Sequence, residues 1–308
     1  MATTEFKDTV TPELEGRIDL MVRSLIDLPR SKLTLLFDHG CVSLNGSICK
    51  NPATRVSTGD AILVNYDARQ GYAKKKRPWS DRTFTIIHED DDLLVINKAS
   101  GVLTVPTNKE EPNTLLERVT AYLDRKKKNH EAYLIHRLDR GMSGTMVFGK
   151  TPKSAKHLRT QFDKDQARRI VFAIVNGELE SESGVFESQL DTHSNLSRYS
   201  TLEKGKGQRA VTRYKVTQQL EEATAVELEL VTARRHQARV HFCESGHHIL
   251  GDTRYRQQRY PHEKWDKKRL AMHSVELSFI HPTTMKRVTF KSPLPMTLRK
   301  FIRGSRKK

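Results

Sequence analysis

Around Asp139 the chain reads Leu134-Ile-His-Arg-Leu-Asp-Arg-Gly-Met-Ser-Gly-Thr-Met-Val-Phe148, which sets one carboxylate within two positions of two guanidiniums, Arg137 and Arg140. A carboxylate that close to fixed positive charge is readily held ionised, and in that form it can act as a nucleophile or a base. Apolar residues flank the charged centre (Tyr133-Leu134-Ile135 before it, Thr145-Met146-Val147-Phe148 after it), with Gly141 and Gly144 between. That order predicts strand, tight turn, strand, and so a carboxylate carried on a loop against a buried sheet. An ion-paired surface turn has the same local pattern, so the reading depends on what the rest of the chain supplies. A kinase catalytic loop is excluded, because no Gly-rich loop, Asp-Phe-Gly or catalytic-loop Asn accompanies His136-Arg137-Leu138-Asp139.

The elements needed to hold such a loop follow from periodicity. From residue 83 onward the pattern is mostly strands: 83–87 and 93–96 flank an Asp-rich turn as a hairpin, 169–175 is a continuous apolar run, and 210–217 and 223–231 alternate. Helices are fewer, at 114 to about 127, 152–165, and 235 to about 244. The inventory predicts an α+β domain with a large mixed or antiparallel sheet over residues 83–297. Upstream, residues 13–66 predict a minimal αβ module. It has a helix from Arg17 to Ile26 and a second helix with Ser31 as N-cap for Leu33-Thr34-Leu35-Leu36-Phe37. Short strands follow around the turn-prone Asn45-Gly46 and at Ala61–Asn65. Residues 1–12 read as an N-terminal extension, and 67–82, with Lys74-Lys75-Lys76-Arg77-Pro78, as a basic linker. Residues 298–308 read as a basic, disordered tail, since six of the last ten residues are Lys or Arg and none is acidic.

Net charge narrows the partner. The chain has 54 Lys+Arg against 37 Asp+Glu, formally +17, and no acidic domain offsets the excess. A polyanion is the expected partner, nucleic acid before membrane. The three cysteines (Cys41, Cys49, Cys243) form no C-x-x-C pair, which argues against zinc or a disulfide framework and for reduced structural thiols. No apolar run approaches ~18 residues, and the N-terminus has no apolar signal segment. A soluble, cytoplasmic protein is expected.

Residues 13–66 resemble the S4 RNA-binding domain through Arg17-Ile18-Asp19, Ser31-Lys32, Gly40-Cys41-Val42-Ser43-Leu44-Asn45-Gly46 and Gly59-Asp60. The resemblance implies a basic face at Arg17, Arg30, Lys32 and Lys50 that touches RNA phosphates.

Most of the chain carries a second resemblance. Asn97-Lys98-Ala99-Ser100-Gly101, His136-Arg137-Leu138-Asp139, Arg234-Arg235-His236-Gln237-Ala238-Arg239-Val240-His241, Gly246-His247-His248-Ile249-Leu250-Gly251-Asp252 and Arg269-Leu270-Ala271-Met272-His273-Ser274 follow one another in order. They resemble the RluA-type pseudouridine synthase patterns Asn-Lys-Pro-x-Gly, His-Arg-Leu-Asp-x-x-Thr-Ser-Gly, Arg-Thr-His-Gln-Ile-Arg-Val-His, Gly-His-Pro-Ile-x-Gly-Asp and Arg-Leu-x-Leu-His-Ala. The resemblance implies that Asp139 is the essential aspartate and Arg239 its ion-pair partner. It makes Arg137 the arginine that fills the stack left by the target nucleotide, with His136 as support. The implied reaction detaches uracil from C1′, rotates it and rejoins it through C5, after the nucleotide has been flipped out. Asp139 would add to the sugar or base, or abstract a sugar proton. No cofactor and no metal is implied, so the clustered His136, His236, His241, His247, His248 and His273 are expected to make structural hydrogen bonds. The implied partner is RNA, ribosomal RNA or pre-ribosomal particles first because an S4-like module precedes, and the chain is expected to be monomeric.

Two residues depart from the resemblance. The family strand Lys/Arg-x-Tyr-x-Ala-x-Val-x-Gly falls on Arg169, Val171, Ala173, Val175 and Gly177, so valine stands at the tyrosine that lies against the flipped uracil. Met142 stands where the loop pattern has Thr. A one-residue β-bulge turning Phe172 inward would restore an aromatic wall. The alternative reading is a weakly catalytic or inactive RNA- or ribosome-binding relative of the same fold.

Overall fold

Two units make up the chain, Met1–Trp79 and Ser80–Lys308. The computed structural model describes residues 4–26, 28–67, 81–107, 110–126, 130–203, 205–255, 262–265 and 269–306. Most of the expected linker (68–80) and the side chains of Arg30 and Ser31 lie outside the described residues.

The first unit contains β1 (Thr4–Thr9), β2 (Gly16–Arg17), α1 (Ile18–Leu25), α2 (Arg30–Asp38), β3 (Val42–Leu44), β4 (Ser47–Ile48), β5 (Arg55–Val56) and β6 (Ala61–Tyr66). Helical spacing puts Ile18, Met21 and Val22 on one face of α1. They share a core with Leu33, Leu36 and Phe37 of α2 and with the alternating Ile62 and Val64 of β6. Asn45 and Gly46 both take positive φ (49° and 80°), the backbone twist that a two-residue hairpin between β3 and β4 requires. The segment expected as a simple extension is an edge strand: β1 pairs antiparallel along β6 in a sheet ordered β1-β6-β3-β4. Ser31 does not cap α2. The helix starts one residue earlier behind Pro29, whose carbonyl accepts the Lys32 and Leu33 N–H groups, so Ser31 falls inside the first turn.

The second unit contains β7 (Phe84–Glu89), β8 (Leu93–Lys98), α3 (Leu115–Lys126), β9 (Tyr133–Leu134), β10 (Ser143–Gly149), α4 (Pro152–Asp163), β11 (Arg168–Asn176), β12 (Ser183–Thr192) and β13 (Arg198–Thr201). After these come β14 (Gln208–Leu220), β15 (Ala223–Leu230), α5 (Gln237–Glu244), β16 (Met272–Ile280), β17 (Arg287–Lys291) and α6 (Met296–Gly304). The strands form one mixed sheet ordered β13-β12-β14-β15-β11-β16-β10-β8-β7, with β9 on β10 and β17 on β16. β10 and β16 are parallel, and their neighbours pair antiparallel. β10 is buried throughout and β11 nearly so, which accounts for their uninterrupted apolar runs; β12, near the edge, alternates. α4 opens on Thr151, whose Oγ1 accepts the Ser154 N–H in a capping box, and lays Leu158 and Phe162 onto Leu93 and Val147 of the sheet.

One expectation fails here, and one conditional possibility is not met. Residues 296–304 are helical, not a disordered tail, because Leu298 and Phe301 recur at helical spacing and bury against the core, with Phe301 edge-on to Trp265 at 5.2 Å. The bulge beside Val171 exists, but its extra residue is Val275 of β16, so the alternation of β11 is undisturbed and Phe172 points away from Val171. No helix among the described residues is long and apolar enough to cross a membrane.

Candidate active site

The loop from 135 to 142 is tied down through its own carbonyls. Thr104 Oγ1 donates to Leu138 O (2.8 Å), the Gly101 N–H to Arg140 O (2.7 Å), and Ser100 Oγ and the Leu270 N–H to Gly141 O (2.7 and 3.1 Å). At the centre lies the ammonium of Lys98, fully buried, donating to Met142 O (2.8 Å), Ala99 O (3.0 Å) and Asp139 O (3.3 Å). Burial pulls this amine down to about 7, with the Asp139 charge opposing and Arg269 adding to the fall. The Asn97–Gly101 motif is therefore the seat of the loop. Gly144 lets β10 approach β16 here: its φ is 122°, and a Cβ would stand 2.3 Å from the Ser274 carbonyl oxygen.

The loop presents Asp139 to α5. Asp139 Oδ2 accepts Arg239 Nη1 at 2.8 Å, and the carboxylate keeps 22% of its exposure, so it remains reachable. Arg239 turns its other two nitrogens, Nε and Nη2, to Asp252 at 2.7 and 2.8 Å. Burial alone would discourage the Arg239 charge; the two carboxylates outweigh it and raise its pKa. Asp252 suffers the same burial but is held below its ordinary value by Arg239 and by the Arg254 and Tyr255 N–H groups. Tyr255 also lies under the guanidinium, 5.0 Å from its carbon. The two arginines adjacent in sequence do not hold Asp139: Arg140 turns its Nε to Gly101 O (3.1 Å), and Arg137 is exposed at the rim of the cleft.

His236 is the second group facing Asp139, its Nε2 3.7 Å from Oδ1. It occupies the N-cap of α5 in a left-handed conformation (φ 59°). The Arg198 N–H donates to Tyr255 Oη, which lies 2.8 Å from His236 Nδ1. The facing carboxylate favours the tautomer with its proton on Nε2, so Tyr255 donates to Nδ1. Burial lowers His236 to about 4 despite the opposing pull of Asp139, so the ring is neutral near pH 7.

Asp139, Arg239, His236 and Arg137 line a cavity of about 350 Å³. Val171, Met142, Met272 and Leu230 form its apolar wall beside Asp139; Arg169, Phe162 and Leu277 close the far end. His136 is structural: its Nε2 accepts the Val147 N–H at 3.2 Å, its ring stacks on Phe162 at 4.7 Å, and burial lowers it to about 3. His273 and His241 likewise spend both nitrogens on Ser and Thr hydroxyls. Sequence reasoning gave no individual role to Lys98, His236, Asp252, Tyr255 or Ser274. Four of these stood inside the quoted motifs, and only the partner groups were missing.

In the first unit Arg17, Lys32 and Lys50 are exposed, and Arg17 forks onto Asp19 at 3.0 Å through two nitrogens. Arg30, the fourth residue expected to meet RNA, has its side chain outside the described residues. Asp90, Asp92 and His281 are close enough to share one cation. His281 is a poor ligand, however: its Nδ1 accepts the Thr283 and Thr284 N–H groups and its Nε2 bonds to Asp90 at 3.1 Å, leaving no lone pair to give.

Comparison with known proteins places the chain in a family. The pattern of the RNA pseudouridylate synthase family matches residues 92–244. Ribosomal large subunit pseudouridine synthase D of Zymomonas mobilis is 31% identical over 301 residues, 94% of each chain. The uncharacterized RNA pseudouridine synthase YjbO of Bacillus subtilis is 32% identical over 294 residues, 95% of this chain and 98% of its own. Human RNA pseudouridylate synthase domain containing 4 shares the fold, with a TM-score of 0.59 at 22% identity over 71% of this chain and 91% of that one.

Proposed function

The chain belongs to the RNA pseudouridine synthase family, of the RluA type, and from that premise we propose that it isomerises specific uridines in ribosomal RNA with Asp139 as the catalytic carboxylate. The observation that carries the reading is the Asp139–Arg239 pair, reachable from solvent at the edge of an apolar cavity that a flat base can enter. Arg239 fixes the rotamer of Asp139 and counters its charge while the base moves. Val171, Met142 and Met272 offer apolar surface to the ring, and Arg137 at the rim is free to stack where the nucleotide leaves the helix. The reaction exchanges the N1–C1′ bond for a C5–C1′ bond within one nucleotide, so its atoms balance without a cofactor.

In this reading residues 13–66 act as an S4-type RNA-binding module, with Arg17, Arg30, Lys32 and Lys50 toward phosphates. Residues 83–297 carry the catalysis. Ribosomal RNA is favoured by the names of the relatives, several of which are called ribosomal large subunit synthases. A monomer acting in the cytoplasm fits such a substrate. The test is tritium release from ribosomal RNA carrying 5-tritiated uridine, joined to pseudouridine mapping with and without the gene. Wild type should release tritium and Asp139→Asn should not, at unchanged RNA affinity. Equal release by the two proteins would sink the assignment.

A further inference from the structure

Across the sheet from Val171 stands Ser274, and we propose that its hydroxyl is the base-contacting polar group of this cleft, standing in for the hydroxyl that position 171 lacks. The inference rests on the isomerase reading above and concerns how that site holds its uracil.

The strand register carries the argument. β11 and β16 run antiparallel with Arg169 opposite Leu277 and Ile170 opposite Glu276; the register then slips, and Val171 faces Ser274. Directly opposed residues project from the same face of a sheet. Without the slip, Val275 would oppose Val171 and Ser274 would turn to the other side with Phe172. With it, Arg169, Leu277, Val171, Ser274 and Met272 all line the cleft. His273, between the last two, faces away and bonds to Ser143 and Ser292. Bulges recur beside active sites because a single extra residue re-aims a side chain in this way.

The hydroxyl delivered to the cleft is uncommitted. Ser274 is buried at 3% exposure, and its carbonyl accepts from Ser292 Oγ, whereas its own Oγ has no hydrogen-bond partner among the described residues. Its Oγ is left open to the cleft rather than sealed in the core, so a ligand can supply the partner. Its backbone is clamped between β10, through Gly144, and β11, so it is presented from a rigid support. Of the polar groups nearby, Arg239 turns all three of its nitrogens to Asp139 and Asp252 and the Gln237 amide is spent on Thr232, Val211 and Thr212, while Arg169 keeps its Nε and Nη1 without a hydrogen-bond partner. A uracil edge offers one N–H donor and carbonyl acceptors, and a serine hydroxyl can answer either. The family pattern in the sequence has alanine where Ser274 stands and tyrosine where Val171 stands. Relative to that pattern, the chain carries its hydroxyl on the residue directly opposite the one where the pattern has it.

The experiment compares wild type, Ser274→Ala, Ser274→Thr and Asp139→Asn in tritium release from RNA carrying 5-tritiated uridine, with RNA Kd and melting temperature measured for each. Ser274→Ala should lower kcat about tenfold at unchanged Kd, and Ser274→Thr, which keeps the hydroxyl, should recover most of it. Full activity in Ser274→Ala overturns the inference and leaves the isomerase reading standing. A loss that appears in RNA affinity instead of kcat also overturns it. Silence from both wild type and Asp139→Asn removes the isomerase reading, and the inference with it.

Discussion

Arg239 belongs to Asp252 before it belongs to Asp139. Two of its nitrogens fork onto Asp252 at 2.7 and 2.8 Å, and only the third reaches Asp139, at 2.8 Å. The Asp252 side chain has no exposure at all, and the backbone N–H groups of Arg254 and Tyr255 complete its shell. Asp139 therefore meets a guanidinium whose position is already decided behind it.

Replacing Asp252 by Asn keeps the shape and removes the charge. A buried guanidinium left short of compensation costs about 3–5 kcal/mol, so the urea midpoint should fall clearly. Tritium release should fall further than stability accounts for, because Asp139 loses a fixed partner. An Asp252→Asn protein with wild-type stability and rate would show that the fork has no role.

Acid should weaken the fold above the range where carboxylates titrate. Burial holds His136 near 3 and His236, His241 and His273 each near 4, against about 6.5 in an unfolded chain. Between those values the unfolded chain binds protons that the native one refuses. The contribution is fully present above pH 6.5 and is lost as pH falls toward 4. For the four rings together the loss is about 4 kcal/mol between pH 6.5 and 5.5. Urea unfolding at pH 7.5, 6.5 and 5.5 reads it directly, and His273→Gln should remove about a quarter of the slope. A flat profile would mean these rings are solvated.

Lys32 and Lys50 are exposed and have no ion pair among the described residues, whereas Arg17 is already neutralised by Asp19. If the first unit holds RNA through phosphates, Lys32→Gln and Lys50→Gln should each reduce the slope of log K against log salt by about 1, equally for all sequences. Arg17→Gln should do less. Turnover at saturating RNA should not move. Unchanged slopes in both lysine variants would shift RNA binding away from this face.

How far the sequence could be read depends on what kind of contact was involved. The strand–loop–strand around Asp139 and the long runs of β10 and β11 were legible because periodicity reports burial, and motif order pointed to Arg239. Lys98 was not, because all of its partners but Ala99 O are backbone carbonyls some forty residues away, which no pattern encodes. The bulge at Val275 was not legible, since a one-residue slip leaves no mark in composition or periodicity; only a bulge on β11 had been considered. In α6, the spacing of Leu298, Phe301 and Ile302 was in view but was overridden by the density of charge.

The parallel pairing of β10 with β16 also sets a timetable. Ser143 and His273, which meet across it, are 130 positions apart. At ordinary synthesis rates that interval lasts roughly ten seconds, during which the carboxylate loop exists without its floor. The first unit, whose described contacts lie within residues 4–67, faces no such wait. A growing chain thus completes its first unit before the second can close, and a polypeptide cut short before residue 272 carries the first unit without the β10–β16 pairing that the carboxylate loop rests on.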